Sequence, residues 1–200
     1  VILANPPFVP SPELGLAFRD GGARGESILR EIVIGASRHL TAAGRLCIVT
    51  DLVDVETYPS KLRRWWGSAS MEALILKTAD RDEVLFSVPH CHAPFGQSIE
   101  DYNRELERWI DNYRSANLEG VNFGYLLVWR RQDAPAEVAV VRTIHNPSAP
   151  MHAEVSQWRL QQHRWHMPTA ADFYICLHPQ VRLTLEHGAG ATTHSLSVPN

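Results

Sequence analysis

The chain runs from a short apolar stretch, Val1 to Ala4, straight into Asn5-Pro6-Pro7-Phe8. That junction constrains the fold more than any other feature. Consecutive apolar residues without alternation read as the end of a strand covered on both faces. Two successive prolines remove two backbone donors and fix two φ angles. The residue before a proline is itself pushed into an extended conformation. The chain must therefore leave the sheet at Asn5 in a stiff loop. A rigid exit from the C-terminal end of a strand is where open α/β folds hold their ligands. Asn5 brings an acceptor and an NH₂ donor on one short side chain. Phe8 adds a flat apolar face beside it.

The residues that follow build a βαβ unit. Pro10, Pro12 and Gly21-Gly22-Ala23-Arg24-Gly25 punctuate a long loop over 9–25. It reads either as a solvated loop with an Arg19–Asp20 ion pair or as a lid over a substrate. Ile28, Leu29, Ile32, Val33, Ala36 and Leu40 recur at helical spacing, so 26–40 is an amphipathic helix. Gly44 ends the turn, and Leu46 to Val49 form a second buried strand, with Cys47 as a small core residue. Two strands joined through a helix imply a parallel pair. Asp51 then falls on the same sheet edge as Asn5, as a charged pocket wall or as an N-cap. Asp54 and Glu56 read as solvated.

Further along, 58–66 reads as a helix with Pro59 in its first turn. Its Lys61, Arg63 and Arg64 beside Trp65-Trp66 can hold an anion or a flat ring, or can snorkel while the indoles pack. A strand is expected over 72–78. His90-Cys91-His92 invites a metal, but three adjacent residues do not give a ligand spacing, and no partner pair lies nearby. Ser98 caps a helix over 98–116, and Phe123 to Trp129 is a strong strand ending in a solvated Arg130-Arg131. Residues 137–142 form another strand. Asn146 to Pro150 mark a boundary, after which a short helix (152–164), strands at 174–177 and 181–185, and an irregular tail (186–200) are expected.

Taken together, Asn5 to Phe8, Leu14-Gly15-Leu16-Ala17-Phe18, Gly21-Gly22, Gly25, the 26–40 helix and Gly44-Arg45-Leu46 carry a family likeness. Over 1–131 the chain resembles class I S-adenosylmethionine-dependent methyltransferases, and within them the release-factor glutamine methyltransferase and small methyltransferase group. The resemblance implies the C-terminal half of a Rossmann-like α/β sheet, with parallel strands followed by an antiparallel terminal pair. Residues 1–145 would be the methyltransferase part, with a helical insertion over 80–118, and 146–200 an α+β appendage. The Asn5 side chain and the Pro6 carbonyl would accept hydrogen bonds from a target NH₂, with Asn5 also beside the cofactor. Pro7 and Phe8 would hold the planar target. Arg19, Asp51 and His92 are further pocket candidates. The cofactor implied is S-adenosyl-L-methionine, with no metal. The family's glycine turn and acidic ribose grip do not occur in this sequence. The expected first partner is therefore an N-terminal half of the same protein.

Composition narrows the substrate. Nineteen Lys+Arg against 22 Asp+Glu give a formal charge of −3. That balance disfavours a polyanion binder, so a protein side chain or a small molecule is expected ahead of nucleic acid. The 3 cysteines are far apart and make no disulfide framework, which suits a cytoplasmic protein. No apolar run is long enough to span a bilayer. Methyl transfer to oxygen or carbon on a small molecule remains an alternative, as does a non-catalytic scaffold that pairs its edge with another copy or chain. A Cys91–His hydrolase is the least supported reading.

Overall fold

Two parallel strands set the frame: β1 (Ile2–Ala4) lies beside β2 (Arg45–Val53), with α1 (Ser27–His39) between them in sequence. The computed structural model describes residues 1–67, 70–91, 98–131, 138–144, 150–165, 182–188 and 191–197. Next come α2 (Tyr58–Trp66), β3 (Met71–Arg81), α3 (Glu83–Ser87), α4 (Ile99–Ser115), β4 (Val121–Arg130) and β5 (Val138–Thr143). The five strands form one mixed sheet in the order β1-β2-β4-β3-β5. β4 runs antiparallel to both its neighbours, while β5 is parallel to β3. The fold is therefore α/β, with β3 and β4 antiparallel and β5 adding a parallel strand outside β3.

One sheet face carries the main core. Leu46, Ile48 and Leu52 alternate along β2 and meet Leu126 and Val128 of β4 and Ala73 and Ile75 of β3. α1 covers them with Leu29, Val33 and Ala36, and α2 with Leu62, Trp65 and Trp66. Fully burying one such side chain contributes about 1.5–3 kcal/mol. The two tryptophans of α2 thus serve packing. On the opposite face Leu3 is 76% exposed, and Cys47, Val49 and Leu127 are only half-buried.

β4 must pass close to both neighbours. A Cβ on Gly124 would collide with the Leu76 carbonyl and lie 2.5 Å from Leu52 Cδ1. Arg130, expected to be solvated, instead donates from Nη1 to the Leu40 carbonyl at 2.7 Å, just past the end of α1. A cation there meets the negative end of the helix dipole.

The segment between β3 and β4 forms a second apolar cluster at the C-terminal edge of the parallel strands. Phe86, Trp109, Tyr113 and Leu118 pack there with Val9, Val53 and Val121. Asp82 caps α3, accepting from the Val84 and Leu85 N–H groups at 2.9 and 2.8 Å. Ser98 caps α4, accepting from the Asp101 N–H at 3.1 Å.

The chain divides at Asn146/Pro147. In the second unit, α5 (His152–Trp165) and an antiparallel hairpin of β6 (Arg182–Gly188) and β7 (Ala191–Ser197) are described. The hairpin corrects the expected irregular tail. Ala191-Thr-Thr-His-Ser-Leu-Ser197 is short of charge and carries β-branched threonines, which suits a pleated strand. The strand expected over 174–177 lies outside the described residues. Among those residues no helix is long and apolar enough to cross a membrane.

Candidate active site

The C-terminal edge of the parallel strands carries Asn5 and Asp51, two of the polar residues singled out in sequence. Asn5 leaves β1 exposed and makes no hydrogen bond with any described residue. Behind it the loop is fixed: Pro6 is buried, while Phe8 is half-buried against the Phe86–Trp109 cluster. Phe8 therefore spends much of its ring on packing.

The loop over 9–25 folds back on itself. Val9 N–H donates to the Arg19 carbonyl and Gly21 N–H to the Val9 carbonyl, both at 2.9 Å. Ser11 N–H donates to the Gly22 carbonyl at 3.0 Å. Gly25 sits at φ +70°, and a Cβ there would strike the Phe8 carbonyl and lie 2.9 Å from Pro10 Cδ. The glycine cluster thus lets the two arms of the loop touch.

Arg19 does form the expected ion pair. Its Nε donates to Asp20 Oδ1 at 2.6 Å, and Asp20 is buried. Burial pushes the Asp20 carboxyl up, but Arg19 and the Leu16 N–H outweigh it and hold the group below its ordinary value. The same guanidinium lies 5.1 Å over the Trp109 ring.

Arg19 begins a stack that crosses the site. Trp109 faces His90 at 5.3 Å and 21°. His90 faces Phe86 at 4.5 Å and 34°. The Arg81 guanidinium lies over the Phe86 ring, 5.5 Å from its centre. Arg81 then pairs with Asp51. Each contact of a cation with a ring contributes about 0.5–2 kcal/mol, more as water is excluded.

Asp51 is buried inside β2 and serves neither as an N-cap nor as an open pocket wall. Burial raises its carboxyl above the ordinary value despite the opposing Arg81 charge. Asp54, expected to be solvated, is half-buried in a left-handed conformation at φ 50°. It accepts from Arg24 Nη2 at 2.6 Å and from the Glu119 N–H at 2.8 Å. Arg24 Nη1 donates in turn to the Ala116 carbonyl at 2.5 Å, which ties the loop to the end of α4.

His90 Nδ1 lies 2.6 Å from the Phe86 carbonyl, so it carries the proton and donates. Cys91 Sγ donates to the Ser87 carbonyl at 3.3 Å. Burial and nearby Glu105 push its thiol up, the opposite of what a nucleophile needs. His92 lies outside the described residues. Among the described residues no three His, Cys, Asp or Glu side chains come together as metal ligands.

Sequence reasoning missed the stack and the Arg81–Asp51 pair. The pair lies 30 residues apart and is joined across the sheet, where β4 sets β3 beside β2. The stack gathers side chains from the 9–25 loop, α4, the turn after α3, the unread α3 itself and β3. The one local signal was Asp82, a good N-cap followed by Val84-Leu85-Phe86. No known protein-family model and no curated protein matches the chain.

Proposed function

We propose that this chain is the C-terminal part of an S-adenosylmethionine-dependent methyltransferase, acting on a planar amide or amino nitrogen of a protein side chain or small molecule. The observation that carries this reading is Asn5. Its amide stands exposed and unengaged at the C-terminal end of β1, on a loop that Pro6 and Phe8 hold rigid. The antiparallel β3–β4 pair after two parallel strands also suits the family resemblance.

An amide or exocyclic amine is a poor nucleophile because its lone pair is delocalised. Asn5 Oδ1 and the Pro6 carbonyl would each accept one NH₂ hydrogen. That fixes the plane of the target and favours the positive charge that develops on nitrogen. The exposed rim of Phe8 would lie against the planar group. S-adenosylmethionine, when bound, supplies an electrophilic methyl group. Asn5 fits the reacting end of that cofactor. For its ribose, the described residues near Asn5 offer no free buried acid, since Asp51 is committed to Arg81. The grip would come from further polypeptide over the outer edge of β1, where Val1 and Leu3 are 75% and 76% exposed.

The same exposed edge favours a second reading, a scaffold that pairs β1 with another strand and performs no transfer. Two measurements separate them. Calorimetry with S-adenosylmethionine is run on this chain and on any longer polypeptide that contains it. Labelled methyl transfer is then followed into peptide, small-molecule and RNA pools. Transfer that Asn5→Ala abolishes, with cofactor affinity largely kept, supports the enzyme. A longer polypeptide that binds no cofactor removes it.

A further inference from the structure

A cavity of about 690 Å³ lies along α1 and α2, walled on one side by Gly21 and Gly22 of the 9–25 loop. Four cations line it, Arg24, Arg30, Lys61 and Arg64, against the single carboxylate of Glu26. Two of the four are already neutralised. Arg24 is held by Asp54 at 2.6 Å, and Lys61 by Glu26 at 2.7 Å and by the Val53 carbonyl at 2.7 Å. The guanidiniums of Arg30 and Arg64 have no ion pair or hydrogen bond with any described residue, so two positive charges face the cavity uncompensated. The N-terminus of α1 opens here too. Its cap residue Glu26 makes no side-chain capping bond, and its first turn holds no acid. The helix dipole adds to the positive field.

We propose that this groove binds a small molecule bearing a phosphate or diphosphate group. A phosphate ester carries about −1.5 to −2 charge near neutral pH, which matches two free guanidiniums. A single carboxylate would leave one of them unpaired. Each guanidinium can fork two N–H groups onto phosphate oxygens. The volume leaves room for an organic group against Trp65, whose edge reaches the wall. The site is separate from Asn5. Occupying it would also brace Gly21 and Gly22, and through them the loop that carries Arg19.

Calorimetry of the 200-residue chain with pyrophosphate and with orthophosphate, at constant ionic strength, tests the proposal. Stoichiometric binding of either is expected, and comparing the two distinguishes a diphosphate from a monoester site. Arg30→Gln and Arg64→Gln should each weaken it about tenfold, one charge-assisted hydrogen bond's worth. Both residues are exposed, so the variants should keep the parent circular dichroism and melting temperature. Arg104→Gln, on the exposed side of α4, should bind as the parent does. No binding of either anion overturns the proposal. So does equal binding of citrate, or equal weakening by Arg104→Gln, because either marks a diffuse charge effect.

Discussion

The imidazole of His90 lies between two rings, 5.3 Å from Trp109 and 4.5 Å from Phe86. Burial holds it below its ordinary value of 6.5, although the Phe86 carbonyl favours the protonated ring. The folded chain therefore prefers neutral His90. Its contribution is fully present above about pH 6.5 and is lost as the pH falls through that value towards the folded one. Melting curves at about pH 7.5 and about pH 5.5 should show a larger drop for the parent than for His90→Gln. Equal drops would mean that other groups account for the acid sensitivity.

Asp51 and Arg81 should behave as a coupled pair. Asp51→Asn leaves a half-buried guanidinium without its counter-charge, at a cost of roughly 3 kcal/mol. Asp51→Leu combined with Arg81→Met should recover much of that loss, because the desolvation cost of both charges disappears. Urea unfolding of Asp51→Leu, of Arg81→Met and of the double gives the coupling. Additive losses would show that the two side chains stabilise the fold independently.

Two glycines should respond in opposite directions to alanine. Gly25→Ala forces a side chain into a positive φ and onto the Phe8 carbonyl, and should cost well over about 1 kcal/mol. Gly35 lies inside α1 with nothing within 4 Å of a new Cβ. There, alanine should stabilise by about 0.5–1 kcal/mol through helix propensity alone. Thermal melts of both variants check the contrast.

Removing the Ser98 hydroxyl should cost about 1 kcal/mol, the usual loss for an N-cap. Because α4 carries Trp109 and Tyr113 into the second cluster, amide exchange should rise at the start of α4 before the sheet is affected.

Every described helix but α3, and most strands, were legible because their signals are local. The 3.6-residue spacing of Leu29, Val33 and Ala36 marked α1, and the unbroken Leu46 to Val49 run marked β2. Ser98 marked the start of α4. The site was legible only in part. Asn5 and Asp51 were placed on one edge by strand direction alone. That Asp51 would be consumed by Arg81, or Asp54 by Arg24, depends on pairs 30 residues apart in sequence. No periodicity reports such contacts. Arg130 was misread for the same reason, since its partner carbonyl lies 90 residues away.

Arg24 has one further consequence. A single guanidinium grips the last turn of one helix, the corner after a strand and, through its own backbone, the glycine hinge beside it. None of these parts can swing away alone without unmaking the others' bonds. Opening either the end of α4 or the corner after β2 therefore breaks a bond to Arg24, so the two should loosen together in amide exchange.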